Sequence, residues 1–160
     1  MKIFISIIVL IFGTSLLQAE SLVSYDSKLK AEGKNVMLIL GSKSCSLCET
    51  LKNDINNNKE LSSLIKGKMN VYYIPIDEQK NFEIGDKDPA VKTTSLSLKM
   101  QFGSRNTPTI VMFDENWNKI MQLPGYADPS QMKLFLAYLN NDIYKSQDLT
   151  SYLQKAGLVD

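Results

Sequence analysis

Cys45 and Cys48 are the only cysteines of the chain, and Ser46 and Leu47 separate them. On the first turn of a helix, sulfur atoms at this spacing are neighbours and can close a small disulfide ring. A cysteine at a helix start lies beside free backbone N–H groups and the positive end of the helix dipole, which stabilise a thiolate. The spacing therefore predicts that Cys45 is the attacking thiol and that Cys48, one turn further in, is more buried and reacts second. Ser46, Leu47 and Lys43, whose charge adds positive potential near Cys45, are predicted to support this pair.

Two other interpretations of the cysteine pair stay open on the residues alone. One is a structural disulfide, although the stabilisation that a disulfide gives falls as the closed loop shortens, and this loop is very short. The other is half of a metal site, but two cysteines cannot complete a four-sulfur zinc site and the chain has no histidine to add. Redox chemistry is the favoured interpretation, and no metal site is predicted.

The composition excludes several other classes of protein. Without histidine, the chain cannot carry a Ser-His-Asp triad or a Cys-His protease site. Eighteen basic and seventeen acidic residues give a net charge of +1, which argues against a phosphate-binding surface, and no nucleic-acid partner is predicted. A length of 160 residues fits a single domain.

The N-terminus has the three-part layout of a secretory signal peptide. A cation, Lys2, precedes a largely apolar segment at 3–17, and Ala19 follows at a candidate cleavage position. This layout predicts a signal peptide at 1–19 and a mature chain in an oxidising compartment, where disulfide chemistry is feasible. A buried N-terminal helix is the alternative interpretation of the apolar segment.

The elements around the cysteines are predicted from hydrophobic periodicity. An apolar run at 35–40 suits a strand buried on both faces, and it leads through a short polar loop into a helix that begins at Cys45. A charged segment at 81–92 predicts a loop. Further patterns predict helices at 21–32, 60–65, 95–102, 128–144 and 148–156 and strands at 69–76, 109–113 and 119–123. This order predicts an α/β fold with a central mixed sheet, parallel strands plus an antiparallel C-terminal hairpin, flanked by helices.

The motifs and their order resemble the thioredoxin superfamily. Segment 37–51, MLILGSKSCSLCETL, resembles its active-site segment. Segment 106–109, NTPT, resembles the loop whose cis-proline packs against the redox cysteines. Segment 123–126, LPGY, resembles the final strand of secreted thioredoxin-like proteins of the SoxW-like kind. The resemblance covers about residues 20–145 of the chain.

The resemblance implies roles for residues beyond the cysteines. It implies that the Thr107–Pro108 bond is cis, and that Thr107 offers its backbone to a substrate strand beside the cysteines. It also implies that the Cys45–Cys48 disulfide is itself the redox centre, so that no cofactor is needed.

The sequence also departs from the thioredoxin pattern close to the cysteines. Ser44 stands where thioredoxins carry tryptophan, and Ser46-Leu47 replaces Gly-Pro. Ile39 occupies the strand position that holds a buried carboxylate in thioredoxins, so that proton acceptor is missing.

The resemblance implies that residues 20–160 form one thioredoxin-like domain with a short extra helix at 148–156. It further implies a periplasmic thiol–disulfide oxidoreductase that reduces protein disulfides, acts as a monomer and is recharged by a membrane thiol-transfer protein of the DsbD/CcdA type. A disulfide oxidase or isomerase is the alternative enzyme. A thioredoxin-fold binding or chaperone module with a non-catalytic disulfide is the alternative from another class.

Overall fold

The computed structural model describes residues 21–158, so the predicted signal peptide at 1–19 lies outside the described part of the chain. Eight strands occur within the described residues: β1 Val23–Ser24, β2 Lys28–Leu29, β3 Asn35–Gly41, β4 Met69–Pro75, β5 Asn81–Ile84, β6 Val91–Thr94, β7 Thr109–Phe113 and β8 Lys119–Pro124. The helices are α1 Ser46–Asn57, α2 Lys59–Ile65, α3 Ser95–Gln101, α4 Pro129–Asn140 and α5 Leu149–Lys155, with a 3-10 turn at Ile143–Lys145. No helix of these residues is long and apolar enough to cross a membrane.

The main sheet has five strands in the order β1-β4-β3-β7-β8. Its central strand β3 runs parallel to β4 and antiparallel to β7, and β7 and β8 form an antiparallel hairpin. The predicted mixed sheet with a C-terminal hairpin is therefore confirmed. The register places Leu40 opposite Thr109 and Gly41 opposite Pro75, so the end of β3 and the start of β7 meet at one end of the sheet.

Two apolar layers cover the two faces of this sheet. One layer contains the buried faces of α1, α2 and α4, together with both cysteines. The other contains α3 and residues of the shorter strands, with Phe82 and Leu98 almost fully buried. The continuous apolar run at 35–40 follows from this arrangement, because β3 is covered on both faces.

The prediction of a helix at 21–32 is wrong. Leu22, Tyr25 and Leu29 have helical spacing, but the structure forms the short strands β1 and β2 there instead. β1 pairs in parallel with β4, which would otherwise present an open edge, and this pairing buries Val23. Pairing with the edge of β4 therefore determines the conformation of this segment, in place of its weak helical pattern.

The prediction of a loop at 81–92 is also wrong at both of its ends. β5 and β6 form an antiparallel hairpin, and β2 joins them in a second, three-stranded sheet. Residues 81–84, NFEI, alternate between polar and apolar types, and Phe82 is buried while Asn81 is exposed. This period of two is the strand signal that the charge of the segment obscured.

Asp86, in the turn of that hairpin, connects the second sheet to the rest of the domain. Its carboxylate accepts hydrogen bonds from the backbone of Ala31 and Glu32, at 3.2 and 2.8 Å, and from the indole of Trp117 at 3.2 Å. Burial opposes ionisation here, but these hydrogen bonds outweigh it and lower the pKa of Asp86. The carboxylate therefore stays charged at neutral pH.

The helix predicted at 128–144 begins as expected but ends earlier. Asp128 caps α4 and forms a capping box with Gln131, and Pro129 occupies the first turn. α4 ends at Asn140, and Asp142 then adopts a left-handed conformation at φ 56° before the 3-10 turn. The last helix, α5, spans Leu149–Lys155 within the predicted range of 148–156.

Candidate active site

Cys45 and Cys48 lie where β3 passes into α1. Cys45 is the N-cap of α1, and its sulfur accepts a hydrogen bond from the backbone N–H of Cys48 at 3.1 Å. The two cysteines form a disulfide with an S–S distance of 2.10 Å. The N–H group of Cys48 also donates to the carbonyl oxygen of Cys45 at 3.1 Å, so the sulfur lies at the N-terminal end of α1, where the helix dipole is positive.

The two sulfurs differ in their access to solvent. Cys45 is 8% exposed and Cys48 is fully buried. Cys45 is therefore the more exposed residue of the pair, although both belong to the buried core. This asymmetry matches an attacking thiol followed by a resolving thiol.

Gly41 provides the space that the buried sulfur needs. A Cβ atom added at Gly41 would stand 2.8 Å from Cys48 Sγ and closer than 3.0 Å to the Tyr73 hydroxyl oxygen. Protein atoms essentially never approach a Cβ so closely. Gly41 therefore leaves room for both the Cys48 sulfur and the Tyr73 hydroxyl beside the end of β3.

The loop before β7 reaches the same end of the sheet as the disulfide. Pro108 is buried, Thr107 is half-buried, and the Thr107–Pro108 peptide bond is cis. The next residue, Thr109, pairs with Leu40, directly before the close approach at Gly41. The structure thus places the two cysteines and the Thr107–Pro108 loop at the same end of β3.

Tyr126 ties this loop to α1. The backbone N–H of Gly125 donates to the carbonyl of Pro108 at 2.8 Å, and the hydroxyl of Tyr126 donates to Asp54 of α1 at 2.6 Å. The hydrogen bond to Asp54 is the main reason that the pKa of Tyr126 is raised, to about 12, with burial adding to the effect. The Pro108 loop and the cysteine helix are therefore held together through one side-chain pair.

We expect Tyr126→Phe to destabilise the fold by about 1 kcal/mol, because it removes a hydrogen bond to a carboxylate at a partly exposed site. The pKa of Tyr126 is higher in the folded state than in the unfolded state. The hydrogen bond to Asp54 therefore stabilises the fold fully below the ordinary tyrosine pKa of about 10. This stabilisation is lost as the pH rises toward about 12. Urea unfolding of Tyr126→Phe, Asp54→Ala and the double variant measures the coupling free energy. A coupling energy of zero would contradict this role.

The other predicted supporting residues have partners away from the disulfide or face solvent. The Lys43 ammonium pairs with Glu78 at 3.2 Å, and the Lys43 backbone N–H donates to Asp77 at 2.9 Å. Ser46 and Leu47 are exposed at the start of α1. The added positive potential of Lys43 at Cys45 stays a prediction.

Most of the chain matches one family model. Residues 26–140 match the family model of the thioredoxin-like domain. The chain belongs to this family. Its cysteine pair at the start of α1 and its mixed sheet are thus features of a thioredoxin-like domain. Among curated proteins, sequence comparison finds no match.

Solved structures show the same thioredoxin-like fold. A thioredoxin-fold protein from Helicobacter pylori matches with 29% identity and a TM-score of 0.76, over 88% of this chain and 89% of that one. A thioredoxin-like protein from Clostridium perfringens matches with 20% identity and a TM-score of 0.52, over 81% and 90%. A mutant thioredoxin from Halobacterium salinarum matches with 14% identity and a TM-score of 0.52, over 77% and 96%.

Three residues near the disulfide were not found from the sequence: Lys52, Asp54 and Tyr73. Tyr73 lies close to Cys48 and Lys52 contacts its ring, while Asp54 accepts the hydrogen bond of Tyr126, which lies in the segment 123–126 noted above. Tyr73 gave no distinguishing signal, because the same strand also contains Tyr72 and Asn70. The other contacts join residues far apart in sequence, and only the assembled fold shows them. Within residues 21–158, no three potential metal-binding side chains come together.

Proposed function

We propose that the chain is a thiol–disulfide oxidoreductase that reduces disulfides of other proteins. The observation that carries this proposal is the asymmetric disulfide at the N-terminus of α1, in which Cys45 is 8% exposed and Cys48 is fully buried. A ring of this size stabilises a fold poorly, so a structural role explains it less well than chemistry does. The family and the Thr107–Pro108 loop at the same end of the sheet support the proposal.

The first step is attack by the reduced protein. The Cys45 thiolate, stabilised by the N-terminal N–H groups of α1, attacks one sulfur of a substrate disulfide. A bond forms between Cys45 and that sulfur, the substrate S–S bond breaks, and the second substrate sulfur leaves as a thiolate. We propose that the backbone of Thr107 pairs with the substrate strand during this step.

The second step releases the substrate. The Cys48 thiol loses its proton, and its thiolate attacks Cys45 Sγ, which breaks the mixed disulfide and frees the other substrate sulfur as a thiolate. The Cys48 proton and one solvent proton are taken up by the two substrate thiolates. The substrate gains two electrons, and the protein is left with the disulfide that the structure contains.

We propose that this chemistry takes place in the periplasm, because the N-terminal segment has the layout of a signal peptide. The protein would act there as a monomer on protein disulfides. Its own disulfide would be reduced again by a membrane thiol-transfer protein of the DsbD/CcdA type. The redox reaction needs no cofactor in this proposal, since the two cysteines carry both electrons.

The reduction of insulin disulfides by dithiothreitol tests the activity. We expect catalytic amounts of the mature protein to accelerate insulin precipitation, because each cycle of the two steps transfers two electrons to insulin. The Cys45→Ser variant provides the background rate. If wild type and Cys45→Ser give equal rates, the protein is a binding module with a non-catalytic disulfide.

The redox state of the cysteine pair in intact cells tests the direction of electron flow. Acid quenching followed by thiol labelling should find the pair mainly reduced, since a reductase must be recharged to act again. A pair that is fully oxidised in cells would contradict the reductase and favour the oxidase.

A further inference from the structure

Cys48 must lose a proton in a place that solvent does not reach. Its sulfur is fully buried, and the thioredoxin position for a buried carboxylate holds Ile39, which cannot accept or donate a proton. A thiolate at such a site is costly unless a donor stabilises it. The polar atom that shares the volume beside Gly41 with Cys48 Sγ is the hydroxyl of Tyr73.

The Tyr73 hydroxyl is placed to act as that donor. In the disulfide state it donates to the carbonyl of Ser42 at 3.1 Å, in the loop before the cysteines. Burial raises the pKa of Tyr73, while the nearby charge of Lys52 lowers it by less. The hydroxyl therefore keeps its proton at neutral pH. A thiolate is a stronger acceptor than a neutral carbonyl, so the O–H group can turn to Cys48 when that sulfur is charged.

A cation lies close to the ring of Tyr73. The Lys52 Nζ atom is 4.6 Å from the centroid of the Tyr73 ring, and it also binds Glu49 at 2.6 Å and the hydroxyl of Tyr25 at 2.9 Å. Burial alone would lower the pKa of Lys52, but the hydrogen bonds to Glu49 and Tyr25 raise it above its ordinary value. The ammonium group is therefore positive, and it holds the Tyr73 ring in place through a cation–π contact.

Tyr73 also lines a surface cavity of about 300 Å³ that Lys52 shares. The charged and titratable groups around Tyr73 and this cavity come from α1, from the segment after β1 and from the loops beside β3 and β4: Tyr25, Lys43, Glu49, Lys52, Asp77, Glu78 and Lys80.

We propose that Tyr73, supported by Lys52, stabilises the Cys48 thiolate during the resolving step by donating a hydrogen bond to it. This inference rests on the proposed thiol–disulfide exchange. In that step the Cys48 S–H proton passes to the substrate thiolate released first, the Tyr73 O–H donates to Cys48 Sγ, and the Cys48 thiolate then attacks Cys45 Sγ. Tyr73 keeps its own proton throughout, so it changes the stability of the thiolate and not the electron balance.

Stopped-flow mixing of the reduced protein with a stoichiometric amount of dithiobis(nitrobenzoate) separates the two steps. The first release of coloured thiolate reports attack by Cys45, and the second reports attack by Cys48 on the mixed disulfide. Tyr73→Phe keeps the ring and removes the hydroxyl. We expect it to leave the first phase within about twofold of wild type and to slow the second about tenfold, the effect of one hydrogen bond to a charged group. The pH at which the second phase reaches half its maximal rate should rise by about one unit.

Tyr72→Phe is the matched control. Tyr72 is the preceding residue of β4 and is equally buried, but its side chain faces the other side of the sheet, where its hydroxyl donates to the carbonyl of Lys30 at 2.9 Å. We expect both phases of Tyr72→Phe to match wild type. If Tyr73→Phe does not fold, Lys52→Met replaces it, with an expected slowing of about threefold in the second phase alone.

The two kinetic phases test the role of Tyr73 and the oxidoreductase activity separately. A second phase of Tyr73→Phe that is unchanged in rate and pH profile, with a normal first phase, would overturn the role of Tyr73 and leave the oxidoreductase intact. Equal slowing in Tyr72→Phe would also overturn it. A wild-type protein without a first phase would overturn the proposed function itself.

Discussion

In the Cys48→Ser variant we expect a mixed disulfide between Cys45 and the substrate protein to accumulate and turnover to stop. Cys45 keeps its position at the N-cap of α1 and can still attack, but the thiol that would release the substrate is gone. Non-reducing gels of the variant, expressed in its native cell, should show adducts of higher mass that disappear when dithiothreitol is added. If the proposed recharging partner is correct, a membrane protein is among them.

Cys45→Ser is the control for this experiment, because it retains one cysteine of the pair but not the accessible one. We expect it to form no adducts and to have no activity above background. Adducts through Cys48 in Cys45→Ser, at a level comparable to those of Cys48→Ser, would reverse the assignment of the attacking thiol. The absence of adducts from both variants would favour the binding module.

Leu51→Ala should cost 2–5 kcal/mol of unfolding free energy, which is the usual range for truncating a fully buried leucine. Leu51 lies on the buried face of α1, fully enclosed between this helix and the main sheet. The cavity left by the variant would loosen the helix that carries both cysteines. Guanidinium unfolding of the oxidised protein measures the change, with the disulfide intact in both samples.

Leu47→Ala is the matched control on the same helix. Leu47 lies one turn earlier and is 47% exposed, so the same truncation removes little buried surface. We expect a change within about 0.5 kcal/mol of wild type. Similar losses in both variants would mean that α1 does not pack on the sheet through the face that contains Leu51.

The helices and strands that could be predicted from the sequence are the long ones with a clear hydrophobic pattern. The run at 35–40 had to be a covered strand because it has no polar face, and the four-residue spacing after Cys45 could only satisfy a helix packed on one side. Asp128 and Pro129 marked the start of α4 because their side chains suit an N-cap and a first turn. Interactions between residues close in sequence determine these features, so they can be predicted from the sequence.

The errors occurred where distant residues decide the structure. β1 and β2 have two residues each, too few to show any period, and they exist because β4 and β5 offer edges to pair with. The cysteines and Pro108 were recognisable by type and order. Tyr73 was not, because its importance depends on the missing Cβ of Gly41 and on the position of Cys48 Sγ, which only the folded chain brings together.

Trp117 has a practical consequence for spectroscopy. It is the only tryptophan of the chain, its ring lies 5.6 Å from that of Phe113, and its indole is bound by Asp86. Phe113 pairs with Val36 at the start of β3, roughly 17 Å along the strand from the disulfide end. Tryptophan fluorescence thus reports on the junction between the two sheets and is separated from the sulfur atoms. Emission can follow unfolding in oxidised and reduced samples alike, and an optical signal of reduction has to come from the tyrosines or from an added thiol label.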